Sequence, residues 1–306
     1  MNTYRKTLIF VILLAMLASG CSKPTTPPIT QIVAFGDSLS DNGASMRITQ
    51  LDVENKVTDA GILPPSDQYW EGRWSNGPMA VEVLAQRLQV KLTDYAVGGA
   101  ESGLNNINPT GGMNVTGLLS QLKNFQIDLQ EKKTDPDALY FIFISANDFL
   151  GNLLNSYSGS YSDVAEKALE NIQTAVTKLS ELGAKRFLVV NSIDLAITPM
   201  VVAAMAEDVA KEFQNRFDSQ LPIKMADLSK QLNIEIIVFD LQGVSDKIRS
   251  DPQMYGLKNL ADPCMADLDS TTACNSPDEY FFWDPVHLTR RVHQIVGEAM
   301  AAVYGK

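Results

Sequence analysis

Five short apolar runs recur along the chain, at 32–35, 91–95, 139–144, 186–191 and 235–240. Each is too brief for a buried helix and is rich in β-branched or aromatic residues, so each reads as a strand. Between them, apolar residues return at three- and four-residue spacing and predict helices over 78–88, 115–132, 161–182, 199–232 and 288–304. Thr198 before Pro199 is a good helix start, a capping hydroxyl ahead of a first-turn proline. Pro222 is expected to kink or split the helix that follows. Strands alternating with helices predict a parallel sheet covered on both faces. The stretches 104–117 and 246–280 break the pattern and are expected to be long loops that shape a pocket. With 306 residues, 45% of them hydrophobic and 20% charged, the chain can bury a large core, and no internal repeat is visible.

Chemistry concentrates where these runs end. The first leads into Gly36-Asp37-Ser38-Leu39, a tight turn that would hold the Ser38 hydroxyl at the carboxyl edge of the sheet. Near the other end, Trp283-Asp284-Pro285-Val286-His287 sets an Asp and a His three residues apart, close enough for the carboxylate to reach the near ring nitrogen. That is the arrangement a Ser–His–Asp triad requires, with Ser38 as nucleophile, His287 as base and Asp284 as its orienting partner. The chain has only two histidines, and His293 falls inside a helical pattern as a surface or partly buried residue. Asp37 and Asp41 read as turn-forming, and Arg73 as a brace for the loop before Pro78. Asn147, after the third run, offers a side-chain amide, and Gly98-Gly99, after the second, a backbone N–H with no Cβ in the way. The sequence does not separate the two glycines; the leaning is to Gly98, with Gly99 as the alternative.

Taken in order, the blocks around Ser38, Asp94-Tyr95-Ala96-Val97-Gly98-Gly99-Ala100, Ile144-Ser145-Ala146-Asn147-Asp148-Phe149 and Asp284 to His287 resemble those of the GDSL, or SGNH, serine hydrolases. The phrase Glu71-Gly72-Arg73-Trp74-Ser75-Asn76-Gly77-Pro78 is similar to one in the branch that holds secreted esterases, thermolabile haemolysin-like phospholipases and acylcholine esterases. The resemblance spans about residues 32 to 289 and implies a flavodoxin-like three-layer α/β/α fold with a parallel central sheet. It also implies an oxyanion hole from Ser38, Gly98 or Gly99, and Asn147, and needs no cofactor.

Other constellations are missing from the chain. It has no Gly-x-Ser-x-Gly elbow, phosphate loop, dinucleotide fingerprint or His-Glu-x-x-His helix, and its two histidines and scattered cysteines give no catalytic zinc ligand set. A net charge of -11 leaves no basic stripe for nucleic acid.

The N-terminus sets the expected compartment. Arg5 and Lys6 precede a short apolar run and then Leu17-Ala18-Ser19-Gly20-Cys21, which resembles a lipoprotein signal with Cys21 as the lipid-bearing residue. The expected organisation is a signal over 1–20, a Pro/Thr-rich tether over 21–30 and one hydrolase domain over 31–306, anchored to a membrane outside the cytoplasm. In an oxidising compartment Cys264 and Cys274 are expected to pair; two free thiols are the alternative.

These readings converge on an extracytoplasmic serine esterase acting on a small-molecule ester. Short-chain esters including acylcholines rank first, because Tyr280-Phe281-Phe282-Trp283 stands beside Asp284 and a quaternary ammonium binds well on aromatic faces, Trp283 being the candidate contact. Core packing is the competing use of that run. A lipase, lysophospholipase or acyltransferase of the same family is the alternative function, and a non-catalytic surface-binding lipoprotein is the remote one.

Overall fold

The computed structural model describes residues 28–59, 61–156 and 159–305. The expected signal, Cys21 and most of the tether lie outside the described residues. Five strands form one parallel sheet: β1 (Gln31–Gly36), β2 (Lys91–Asp94), β3 (Leu139–Phe143), β4 (Arg186–Val190) and β5 (Glu235–Phe239). Their order is β2-β1-β3-β4-β5, the flavodoxin-like order, so the chain reverses direction across the sheet between β1 and β3. β3 and β4 are buried throughout, and β1 at all but its first residue, whereas the edge strands β2 and β5 are partly exposed. Burial on both faces explains why the central strands are continuous apolar runs, not alternating ones.

The helices are α1 (Ala44–Glu54), α2 (Ala80–Leu88), α3 (Leu118–Leu129), α4 (Ala146–Leu154), α5 (Tyr161–Leu182), α6 (Pro199–Ala203), α7 (Glu207–Leu232), α8 (Leu241–Ser250) and α9 (Arg290–Ala302). α9 packs against α2 and α8 on one face, and α5 against α3, α4 and α7 on the other, which makes the three-layer α/β/α architecture. Two short strands, β6 (Asn259–Pro263) and β7 (Tyr280–Phe282), pair in parallel outside the main sheet and lead into the segment that carries Asp284 and His287.

The structure corrects the reading of 199–232. α7 runs unbroken through Pro222, and the break falls instead at 204–206, where Met205 takes a left-handed φ of 52°. The short α6 is thereby freed to point elsewhere: the Met200 N–H donates to the Pro285 carbonyl at 2.9 Å, tying α6 to the segment between Asp284 and His287. The stretch 246–280 is also more ordered than expected, holding the end of α8 and all of β6.

Candidate active site

Ser38 sits just past the carboxyl end of β1, beside the point where the strand order reverses. The Asp37 carbonyl accepts the N–H groups of Ser40 and Asp41, both at 3.0 Å, which folds the chain tightly around Ser38. The Asp37 carboxyl accepts the Leu39 N–H at 3.0 Å, and burial raises its pKa to about 7 against the opposing pull of that bond and of His287. Asp41 has a different job. Its carboxylate accepts N–H groups from Gly43, Ala44 and Ser45 at the start of α1, the Ser45 hydroxyl, and the Gly98 N–H at 2.9 Å.

The partner segment closes on itself through a 2.7 Å bond from the Trp283 N–H to the His287 carbonyl. Inside this loop Asp284, with no exposed surface, uses both carboxylate oxygens. Oδ1 accepts the N–H groups of Val286 and His287 at 2.7 and 2.8 Å. Oδ2 pairs with His287 Nδ1 at 2.7 Å and accepts the Tyr69 hydroxyl at 2.7 Å. Burial alone would raise the Asp284 carboxyl; the His287 charge and the hydrogen bonds from His287, Tyr69 and Val286 together outweigh it and hold the group below its ordinary value. The far nitrogen of the ring, His287 Nε2, lies 2.9 Å from Ser38 Oγ. Ser38, His287 and Asp284 are thus brought together in the geometry of a Ser–His–Asp triad.

Asn147 opens α4 directly after β3 and donates from Nδ2 to the Ala100 carbonyl at 3.0 Å, which orients the amide and leaves its second hydrogen for another acceptor. The two glycines separate. The Gly98 N–H is turned onto Asp41 Oδ2 and Ser45 Oγ, both at 2.9 Å, so the leaning to Gly98 as a donor gives way. A side chain at 98 would drive a Cβ to 2.2 Å from Trp74 Nε1, which is why glycine stands there. Gly99, at a left-handed φ of 79°, is the glycine that faces the cavity.

That cavity, about 220 Å³, is lined by Ser38, His287, Gly99 and Asn147 at its polar end. Aliphatic side chains form most of the remainder, among them Ile107, Leu150, Met200 and Leu268, and among the described residues no Asp, Glu, Lys or Arg lines it. Among the described residues, Trp74 is the one aromatic residue of the wall besides the His287 ring, whose centroid is 5.0 Å away. Trp283, expected as a substrate contact, does not line this cavity. It is 3% exposed and packs with Tyr69, Trp74, Cys264 and Met265, while Phe281 and Phe282 join the main core. The aromatic run is therefore core packing, because β7 turns these side chains into the molecule before the chain reaches Asp284.

His293 is fully buried, not superficial: its Nδ1 accepts the Ala80 N–H at the start of α2 at 3.2 Å, and burial, with the His287 charge, lowers its pKa to about 3. Arg73 pairs with Glu82 at 2.8 Å as a brace. Cys264 and Cys274 form a disulfide with Cα atoms 5.0 Å apart. Among the described residues, no group of three His, Cys, Asp or Glu side chains is placed to hold a metal ion. Sequence reasoning missed Tyr69, whose link to Asp284 spans 215 residues without a motif, and gave no role to Trp74, although it lies in the marked phrase 71–78.

The family profile described as GDSL-like Lipase/Acylhydrolase matches residues 32–300, which takes in every block above. The chain belongs to this family. As a GDSL-like acylhydrolase it is a carboxylic ester hydrolase. It is 26% identical over 287 residues to the thermolabile hemolysin of Vibrio parahaemolyticus, covering 89% of this chain but only 63% of the hemolysin's length. It is also 26% identical over 341 residues to the phosphatidylcholine-sterol acyltransferase of Aeromonas hydrophila, covering 95% of each chain. The crystal structure of a GDSL-like lipase from Parabacteroides merdae superposes with a TM-score of 0.50 at 14% identity, over 92% of this chain and 99% of that one, and shares its fold.

Proposed function

We propose that this GDSL acylhydrolase is a serine esterase for neutral carboxylic esters with an aliphatic acyl group, working through an acyl-enzyme on Ser38. The observation that carries the reading is the chain of contacts from Asp284 Oδ2 to His287 Nδ1 at 2.7 Å and from His287 Nε2 to Ser38 Oγ at 2.9 Å, at the end of a largely aliphatic cavity. Ser38 Oγ attacks the ester carbonyl as its proton passes to His287 Nε2. The oxyanion that forms is met by the N–H groups of Ser38 and Gly99 and by the Asn147 amide. The ester C–O bond then breaks as His287 gives the proton to the leaving alcohol, and the acyl group stays on Ser38. Water repeats the cycle: His287 takes its proton, the acyl bond to Ser38 breaks, and the carboxylic acid departs with Ser38 protonated again.

The wall of the cavity narrows the substrate. A single aromatic face gives a quaternary ammonium only a modest preference over a neutral isostere, and among the described residues Trp74 is the one such face in the wall besides His287, so acylcholines lose their first rank. A phosphate would likewise find no Arg or Lys among the described residues of the wall. The test is a series of p-nitrophenyl esters of graded chain length beside choline esters and their uncharged 3,3-dimethylbutyl counterparts. Aliphatic esters should be preferred, with no advantage for the choline ester; a strong preference for choline would overturn this substrate assignment.

A second reading, transfer of the acyl group to an alcohol, is favoured by the end-to-end similarity to a protein named as an acyltransferase. Product analysis with an added alcohol separates it from hydrolysis. The place of action we propose is outside the cytoplasm, held by lipid on Cys21, which rests on the sequence around that residue and is supported by the disulfide. Intact mass spectrometry of the mature chain tests it, and an unmodified Cys21 contradicts it.

A further inference from the structure

Tyr69 stands in the connection between α1 and α2, is 6% exposed, and does not line the substrate cavity. Its hydroxyl nevertheless reaches the centre of the site, donating at 2.7 Å to Asp284 Oδ2, the same oxygen that takes His287 Nδ1. The ring is gripped edge-to-face by Trp74 at 5.8 Å and by Trp283 at 6.5 Å between centroids, and Trp74 in turn lies against the His287 ring. We infer that Tyr69 is a positioning residue for the acyl-transfer reaction: by sharing Asp284 Oδ2 with His287, its hydroxyl sets how tightly the carboxylate holds the imidazolium. This rests on the serine-esterase reading above.

The physical argument concerns one oxygen with two donors. A buried carboxylate whose only strong partner is an imidazolium concentrates its charge on that partner, which favours taking the proton from Ser38 but resists giving it to the leaving alcohol. A second donor on the same oxygen spreads the charge and keeps the carboxylate ionised at the same time. Burial and the neighbouring Asp284 charge push the Tyr69 phenol far above its ordinary value, so it remains a donor at every pH at which the enzyme works. Oδ1 is fixed independently by two backbone N–H groups, so losing the hydroxyl would retune Asp284 without releasing it.

The experiment uses the full chain with Tyr69→Phe, which keeps the ring and its packing. The turnover number kcat for an aliphatic p-nitrophenyl ester should fall about tenfold or more, the usual range for a hydrogen bond to a charged group. KM should hold, because Tyr69 touches no substrate, and the acidic limb of kcat/KM should move to higher pH. Fluorotyrosine at 69, a stronger donor of nearly the same shape, should move that limb the other way. In an Asp284→Asn background, Tyr69→Phe should add no further loss. Asp37, Asp269 and His293 also face this cluster but are the same in every variant, so a moved limb reports the hydroxyl. Wild-type kcat and an unmoved limb in Tyr69→Phe, or an equal further loss in the Asp284→Asn background, would overturn the inference. Labelling by a fluorophosphonate keeps the two readings apart. If Ser38 is labelled in both proteins while the kinetics stay equal, Tyr69 alone loses its role; if wild-type Ser38 is not labelled, the esterase reading fails and this inference falls with it.

Discussion

At the scale of single residues, the site is built by carboxylates that hold backbone. Asp41 gathers the start of α1 and the Gly98 N–H onto one side chain, and this leaves Gly99 next along the chain to face the cavity. Asp284 does the same for its own loop through one oxygen, while the other meets His287 and Tyr69. Asn147 is held by the Ala100 carbonyl, which places its remaining donor. Asn147→Ala should therefore lower kcat by about a hundred- to a thousandfold with little change in KM, because the lost bond is made in the transition state. Steady-state kinetics on folded protein check this; a raised KM at unchanged kcat would reassign Asn147 to ground-state binding. Ser38, Asp284 and His287 were legible in the sequence because a turn after a strand and a three-residue spacing are local signals. Tyr69 was not, since a contact across 215 residues leaves no local trace.

At the scale of elements, the five strands were legible because central parallel strands must be apolar on both sides. α1 was not, and its pattern shows why. The residues it buries are Ser45, Thr49 and Asp52, while Leu51 and Val53 are 57% and 42% exposed. The buried stripe is polar because it serves loops: the Thr49 hydroxyl accepts the Leu63 N–H at 3.0 Å and the Asp52 carboxylate the Gly112 N–H at 2.7 Å. Periodicity of apolar residues cannot reveal such a helix. The disulfide works on the same scale. It spans ten positions, and between its ends lie Leu268 of the cavity wall and Met265, whose N–H donates to the Trp283 carbonyl at 2.7 Å. Replacing both cysteines by serine should cost about 2 to 3 kcal/mol in the chain-entropy account and reduce activity by loosening that wall. Denaturant unfolding beside ester kinetics measures both, and an unchanged midpoint would show that the bridge constrains nothing.

At the scale of the whole molecule, two buried titratable groups give stability opposing slopes over the same acid range. Burial raises the pKa of Asp218, against the Ser192 N–H and with help from Asp240 and Asp194, to about 7. The stabilisation from its protonated form is whole below the ordinary carboxyl value and is lost as pH rises through about 7. His293, lowered to about 3, works in reverse: its contribution is present above the ordinary histidine value and is lost as pH falls toward about 3. Asp218→Asn keeps the acceptor for the Ser192 N–H, found at 2.9 Å, and removes the charge. Its gain in Tm over wild type should be larger at about pH 8 than at about pH 5, as thermal melts at the two values will show; an equal gain at both would mean that Asp218 stays ionised throughout. The main sheet brings Ser38, Gly99 and Asn147 to one edge from three strands, and the β6–β7 segment closes His287 over them. The central claim is that Ser38 is the nucleophile, and trapping the acyl-enzyme tests it most directly. Rapid acid quench of the enzyme with an aliphatic p-nitrophenyl ester, followed by peptide mass spectrometry, should find the acyl group on Ser38 and none in Ser38→Ala, whose turnover should fall a thousandfold or more. An acyl group on another residue, or a folded Ser38→Ala protein that retains about a tenth of the wild-type rate, would contradict the account.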